Sequence, residues 1–152
     1  SLDGPVCIRF PRGKSEIESY ATDTIQEVGK ANVVREGFDV AILSFGTTLS
    51  QALKAGEILD ATVVDMRFVK PLDETLIIEL AKSHKKLISI EDNVISGGAG
   101  SAVAEFIHST QLNVALNIIG LPDEFGEHGS QEELYELYGL TADNIVKYAN
   151  GE

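Results

Sequence analysis

The sequence predicts an α/β domain built as a three-layer sandwich: a mostly parallel sheet, an antiparallel strand at one edge, and helices on both faces. Three observations predict it. From residue 38 onward, short apolar runs alternate with segments of helical spacing, and that alternation implies crossover connections between parallel strands. The run Val40 to Phe45 is nearly all apolar, as a strand covered on both faces must be. The chain has 152 residues, 43% of them hydrophobic, which is enough for one core without disulfide or metal staples.

Each element has its own local reason. Val6 to Phe10 is an apolar run with one charge, stopped by Pro11-Arg12-Gly13; it reads as a short strand and a turn. Residues 14–30 are polar and poorly periodic, as a connecting arm would be. Ala31 to Arg35 reads as a strand that Glu36-Gly37-Phe38 turns back into residues 39–45, an antiparallel hairpin at the sheet edge. Gly46-Thr47-Thr48 opens a helix to about Leu59, with Thr47 or Thr48 as its cap. Ala61 to Arg67 is the next strand. Pro71-Leu72-Asp73 ends it and starts a helix on which Leu76, Ile77, Leu80 and Ala81 share a face. Leu87 to Glu91 is a third core strand, and Gly97 to Gly100 turn it into a helix ending near Ser109. Leu116 to Ile119 is a fourth. Two helices follow, over about 130–138 and 141–149, the second capped by Thr141.

Composition narrows the function classes. Twenty-four acidic residues against twelve basic ones give a formal charge of -12, so no broad cationic face for nucleic acid is expected. The single cysteine, Cys7, excludes an intrachain disulfide framework and a cysteine-rich zinc site. It is expected to pack as a small core hydrophobe. No apolar run approaches the ~20 residues of a membrane span, and the opening SLDGPVCIRF lacks the pattern of a signal peptide. The expectation is a reduced, intracellular domain.

Ligands of open α/β sheets sit beyond the carboxyl ends of the strands. That draws attention to Gly46-Thr47-Thr48, Arg67 to Asp73, Glu91 to Gly100 and Gly120 to Gly129. These loops hold no nucleophile–base pair, no HExxH and no GxxxxGK[ST]. Gly98-Ala99-Gly100 resembles part of a dinucleotide fingerprint, but it follows the third parallel strand and Val103 replaces the last glycine. Glycines that let a helix start tightly against a strand explain it better. Glu91-Asp92-Asn93 could supply paired carboxylates for acid–base work or could cap a helix and close a turn. His84 and His108 fall near helix ends, where a cation suits the dipole, and His128 lies apart; no metal site is expected. Arg9, Arg12 and Lys14 form a basic cluster around the Pro-Arg-Gly turn. Such a turn can present a guanidinium fork to a phosphate or carboxylate, or can simply pair with the abundant surface acids.

Four stretches then carry a family likeness: GPVCIRFPRG, VVDMRFVKPLDE (63–74), ISIEDNVISGGAGSAV (88–103) and IIGLPDEFGEHGSQEELYELYGL (118–140). In this collinear order they resemble the C-terminal quarter of the 1-deoxy-D-xylulose-5-phosphate synthases, whose last domain shares its fold with transketolases. The resemblance implies a thiamine-diphosphate-dependent transferase that condenses pyruvate with glyceraldehyde 3-phosphate, releasing carbon dioxide, at the first step of non-mevalonate isoprenoid synthesis. By the same resemblance, the product would also feed thiamine and pyridoxal biosynthesis. It implies that magnesium and the cofactor belong to upstream domains of the same chain, that the full enzyme is a homodimer in the bacterial cytoplasm or a plastid, and that this stretch alone binds no cofactor.

By the same resemblance, residues 1–13 are the tail of a preceding pyrimidine-binding domain, 14–37 a connecting arm and 38–152 the transketolase C-terminal-like domain. Its role would be architectural and dimer-supporting. One residue is carried over: the arginine of the Pro-Arg-Gly turn, Arg12, as a ligand of the acceptor's phosphate; Arg9 is left as structural, and no catalytic residue is assigned. The alternatives are the same domain of a transketolase or 2-oxo-acid dehydrogenase beta subunit, a free-standing nucleotide-binding module using the glycines near residue 98, and an interaction module without a ligand.

Overall fold

The computed structural model describes residues 3–10 and 25–151. A five-stranded sheet runs in the order β1 (Asn32–Arg35), β3 (Thr62–Asp65), β2 (Val40–Phe45), β4 (Lys86–Val94), β5 (Ala115–Leu121). β3, β2, β4 and β5 are parallel, and β1 lies antiparallel at the edge. The helices are α1 (Leu49–Leu59), α2 (Glu74–Ser83), α3 (Ala99–Ser109), α4 (Gln131–Tyr138) and α5 (Ala142–Asn150). This is the expected three-layer sandwich.

Strand alternation divides the core in two. Ile42, Ile88 and Ile90 join Leu49, Ala52, Leu140 and Ile145 on the face covered by α1 and α5. Leu43, Leu87 and Phe45 join Ile77, Leu80, Val103 and Ile107 on the face covered by α2 and α3. β2 therefore has to be apolar almost throughout, and from Ala41 to Phe45 every residue is buried.

Three expectations are corrected. The strand over 31–35 does not form a hairpin with β2; it pairs with β3, through Asn32–Asp65 and Val33–Val64. β2 already has parallel partners on both sides, so the Glu36–Asp39 turn has to carry the chain across β3, and Phe38 donates its N–H to the Asp60 carbonyl on the way. The segment Val6 to Phe10 is not a strand here. No strand of this sheet pairs with it, and Val6, Ile8 and Phe10 stay exposed. Cys7 lies in the same segment and is exposed rather than a core residue.

Of the caps expected, that of Thr141 forms and that of Thr47 or Thr48 does not. Asp73 accepts from the Leu76 N–H at the start of α2, and Thr141 from the Asn144 N–H at the start of α5. A 3-10 turn over Gly46–Thr48 precedes α1, and Thr48 stands at its N-cap without capping it. Its hydroxyl instead meets Ser44 Oγ at 2.9 Å and donates to the Ile90 carbonyl, inside the core. α4 begins with a reciprocal capping box between Ser130 and Glu133.

At the start of α3 the glycines are required by contact. A Cβ on Gly98 would lie 2.3 Å from the Val94 carbonyl and 2.6 Å from both Glu91 oxygens. On Gly100 it would lie 2.5 Å from Ile118 Cγ2 and 2.7 Å from Ser89 Oγ. Gly98→Ala and Gly100→Ala should therefore each cost about 1–3 kcal/mol by overpacking, measured by urea denaturation. Gly97→Ala gives the contrast, since no atom lies within 4 Å of its Cβ position; its cost should come only from the positive φ.

Candidate functional site

At the carboxyl end of the sheet, β4 carries two adjacent acids with different fates. Alternation sends Glu91 to the α3 side, where it is 2% exposed. Its Oε2 accepts from Ala99 N–H at 2.8 Å and its Oε1 from Gly100 N–H at 2.7 Å. A carboxylate thus fills the α3 N-terminus, satisfying two of its orphan donors and complementing its dipole. Those are the donors that a phosphate would need. The glycine-rich turn is closed by the protein's own anion, and the nucleotide-module reading loses its site. Among the described residues no three His, Cys, Asp or Glu side chains converge on a metal position.

Asp92 faces the other way. Its Oδ2 accepts from Thr47 Oγ1 at 2.7 Å, and Thr47 Oγ1 lies 2.6 Å from Tyr135 OH. Gln131 Nε2 donates to that phenol at 2.9 Å. Since the one Thr47 proton is given to Asp92, the Tyr135 hydroxyl donates to Thr47. The chain Gln131, Tyr135, Thr47 is thereby polarised toward a single carboxylate. From the opposite side Arg9 closes on it: NH1 pairs with Asp92 Oδ1 at 2.5 Å, and NH2 donates to the Asp92 carbonyl at 3.0 Å.

The electrostatics follow from the contacts. The hydrogen bond to Asp92 raises the Arg9 pKa further, against a smaller opposing effect of burial, so Arg9 is always a cation. Burial raises the Tyr135 phenol above its ordinary value, partly offset by its bonds to Thr47 and Gln131. Ser130's backbone and side-chain donors hold the exposed Glu133 carboxyl below its usual range.

The candidates named from the sequence separate clearly. Arg12 and Lys14 lie outside the described residues. Arg9 takes the surface-ion-pair reading, both of its terminal nitrogens being used by Asp92. Glu91 and Asp92 do not form a catalytic pair, because they diverge to opposite faces of the strand. His84 stands at the C-cap of α2, 2.9 Å from Thr62 Oγ1, and His108 lies in the last turn of α3. His128 is exposed in the loop before α4. Sequence reasoning points to both loops of the cluster but misses Thr47, Tyr135 and Gln131 as partners of Asp92. Their positions at strand and helix ends are the available signal. A shallow apolar groove between α3 and β5, lined by Ile107, Leu112, Leu116 and Ile118, lies toward the other end of the sheet.

The profile of the transketolase C-terminal domain matches residues 29–145. This chain belongs to the transketolase C-terminal domain family. It is 53% identical over 147 residues to the 1-deoxy-D-xylulose-5-phosphate synthase of Thioalkalivibrio sulfidiphilus, covering 95% of this chain and 23% of that enzyme. The synthase of Pseudomonas aeruginosa is 51% identical over 147 residues, with 96% and 23% covered. The chain thus spans about a quarter of the length of these relatives. Among solved structures, a split-gene transketolase described as an inactive beta4 tetramer superimposes with TM-score 0.82 at 35% identity, covering 89% of this chain and 46% of that one. Transketolase from Campylobacter jejuni shares the fold, with TM-score 0.60 at 17% identity over 82% of this chain and 19% of that one.

Alkaline titration tests the cluster. The raised Tyr135 phenol keeps its proton in the folded state after the unfolded chain has lost it, so stability is complete below about pH 10 and falls as pH rises above it. In the Tyr135→Phe chain less stability should be lost between pH 9 and 11 (roughly one unit either side of the ordinary phenol value), measured by urea denaturation across that range. An unchanged slope would mean that the phenol is not held protonated by the fold.

Proposed function

We propose that this chain is the C-terminal domain of a thiamine-diphosphate-dependent 1-deoxy-D-xylulose-5-phosphate synthase, the transferase that joins pyruvate to glyceraldehyde 3-phosphate with loss of carbon dioxide. The observation that carries the reading is similarity at about half of all positions, across nearly the whole chain, to synthases of several bacteria. The solved transketolases are 17–35% identical, which favours the synthase over the transketolase alternative.

In this reading the domain's work is architectural. The cofactor chemistry, a carbanion stabilised on thiamine diphosphate with magnesium on the diphosphate, belongs to the parts of the enzyme outside this chain. The domain packs against those parts, supports a cytoplasmic homodimer, and contributes Arg12 of the Pro-Arg-Gly turn as a phosphate ligand for the acceptor. A guanidinium suits that task because its planar fork binds a phosphate through two parallel hydrogen bonds.

Two measurements test this. The isolated chain should give no turnover of pyruvate with glyceraldehyde 3-phosphate, and no heat on titration with thiamine diphosphate and magnesium; any turnover by the pure chain contradicts the reading. In the full-length enzyme, Arg12→Ala should raise the KM for glyceraldehyde 3-phosphate about tenfold or more, the loss of a charged hydrogen-bond pair. Decarboxylation of pyruvate should be spared. An unchanged acceptor KM removes Arg12 from the site.

A further inference from the structure

We propose that the carboxyl end of the sheet is a protein-docking face, that its occupant is the part of the same enzyme chain lying outside these residues, and that Phe125 is one of its anchors. The inference rests on the reading of this chain as a C-terminal domain and names the face by which that domain packs.

Three segments meet at this end, and each is tied down by polar contacts while its large apolar side chains are left in solvent. Arg9 pairs with Asp92 near the end of β4, and its neighbours Ile8 and Phe10 are 77% and 81% exposed. Beyond the end of β3, Arg67 donates to Gln26 Oε1, and Asp73 accepts from the Ala31 N–H at 3.0 Å. There Ile25, Val28 and Val69 are exposed. Beyond β5, Glu127 donates its N–H to the Tyr138 hydroxyl at 3.0 Å, holding a loop on which Phe125 is fully exposed. Among the described residues, the turns at the opposite end of the sheet expose one large apolar side chain, Phe38.

Single exposed apolar residues are ordinary, but their concentration at one end of a domain marks an interaction surface. A small ligand does not account for it, because Glu91 fills the α3 N-terminus and Asp92 is engaged by Arg9 and Thr47. A second copy is disfavoured by charge. The chain carries -12 overall, and Asp123, Glu124 and Glu127 surround Phe125, so two such faces would repel. The remaining enzyme chain fits. The synthases that this chain resembles match it over 23% of their length, which leaves most of the enzyme to be packed against it. In the C-terminal reading, residues 3–10 deliver that part to the face on which they already lie. An aromatic side chain on a tethered loop is a suitable anchor, since it brings a large contact area at little further cost in ordering.

Hydrogen exchange read by mass spectrometry, compared between the full-length enzyme and this chain, tests the face. Amides of residues 6–10, 68–70 and 124–127 should exchange roughly tenfold or more slowly in the full-length enzyme, while the turn at 36–38 should not change. Phe125→Ser should leave the urea midpoint of this chain in place, because the side chain is fully exposed. In the full-length enzyme the same variant should speed exchange about tenfold at 124–127, the loss of one anchor, and should speed it at 6–10 as well. Equal exchange in the two proteins, protection confined to the groove between α3 and β5, or a lowered urea midpoint of the Phe125→Ser chain would each overturn the proposal. Dimers of this chain in sedimentation velocity that Phe125→Ser abolishes would also overturn it, since the occupant would then be a second copy. If the full-length enzyme turns over pyruvate and glyceraldehyde 3-phosphate while this face exchanges freely, the docking face alone is wrong. If the face is protected and there is no turnover, the docking face stands and the synthase reading has failed.

Discussion

The carboxyl end of this sheet depends on one buried carboxylate. Glu91 takes the first N–H groups of α3 on its two oxygens, so the anion that a helix N-terminus would otherwise attract from solution is built into the strand. Everything close by is cut to fit it. Gly98 and Gly100 lack side chains because the carboxylate, the Val94 carbonyl and Ile118 occupy that space, and α3 can then lay Val103 and Ile107 into the core against β4. A fold that elsewhere in α/β proteins leaves this position open for phosphate is closed here by its own side chain.

The same strand sets a second cluster. Because successive side chains leave a strand on opposite faces, anchoring Glu91 to α3 turns Asp92 toward the turn before α1 and toward α4. There it gathers Thr47, Tyr135 and Gln131 on one side and Arg9 on the other.

Much of this is legible in the sequence, and what is not has a common cause. Apolar runs and helical spacing reveal the layers, the parallel core and the end of α3, and the close approach of α3 to its strand can be read from Gly98 and Gly100. The edge strand is recognisable but its partner is not, because the Glu36-Gly37-Phe38 turn signal is local and the insertion of β3 between β1 and β2 is not. The run Val6 to Phe10 has strand-like composition, yet a strand needs a partner and none of the five strands pairs with it. The Arg9–Asp92 pair spans 83 positions, beyond any spacing rule. Glu91 and Asp92 look alike as letters, and only the strand's alternation separates the buried helix cap from the surface ion pair. Arg12 lies outside the described residues, and family likeness alone singles it out, since an isolated Pro-Arg-Gly turn fits an ion pair as well as a phosphate.

The most direct test is to replace Glu91 by Gln, which keeps the shape and removes the charge. An amide offers one oxygen to two N–H donors and turns its NH2 toward the second. The expected result is a loss of about 1.5–3 kcal/mol, the usual value of hydrogen bonds to a charged group, with faster amide hydrogen exchange at Ala99 and Gly100 than in the parent chain. If the variant keeps the parent's stability and both amides stay equally protected, Glu91 is not what holds α3 to β4, and the central claim is wrong.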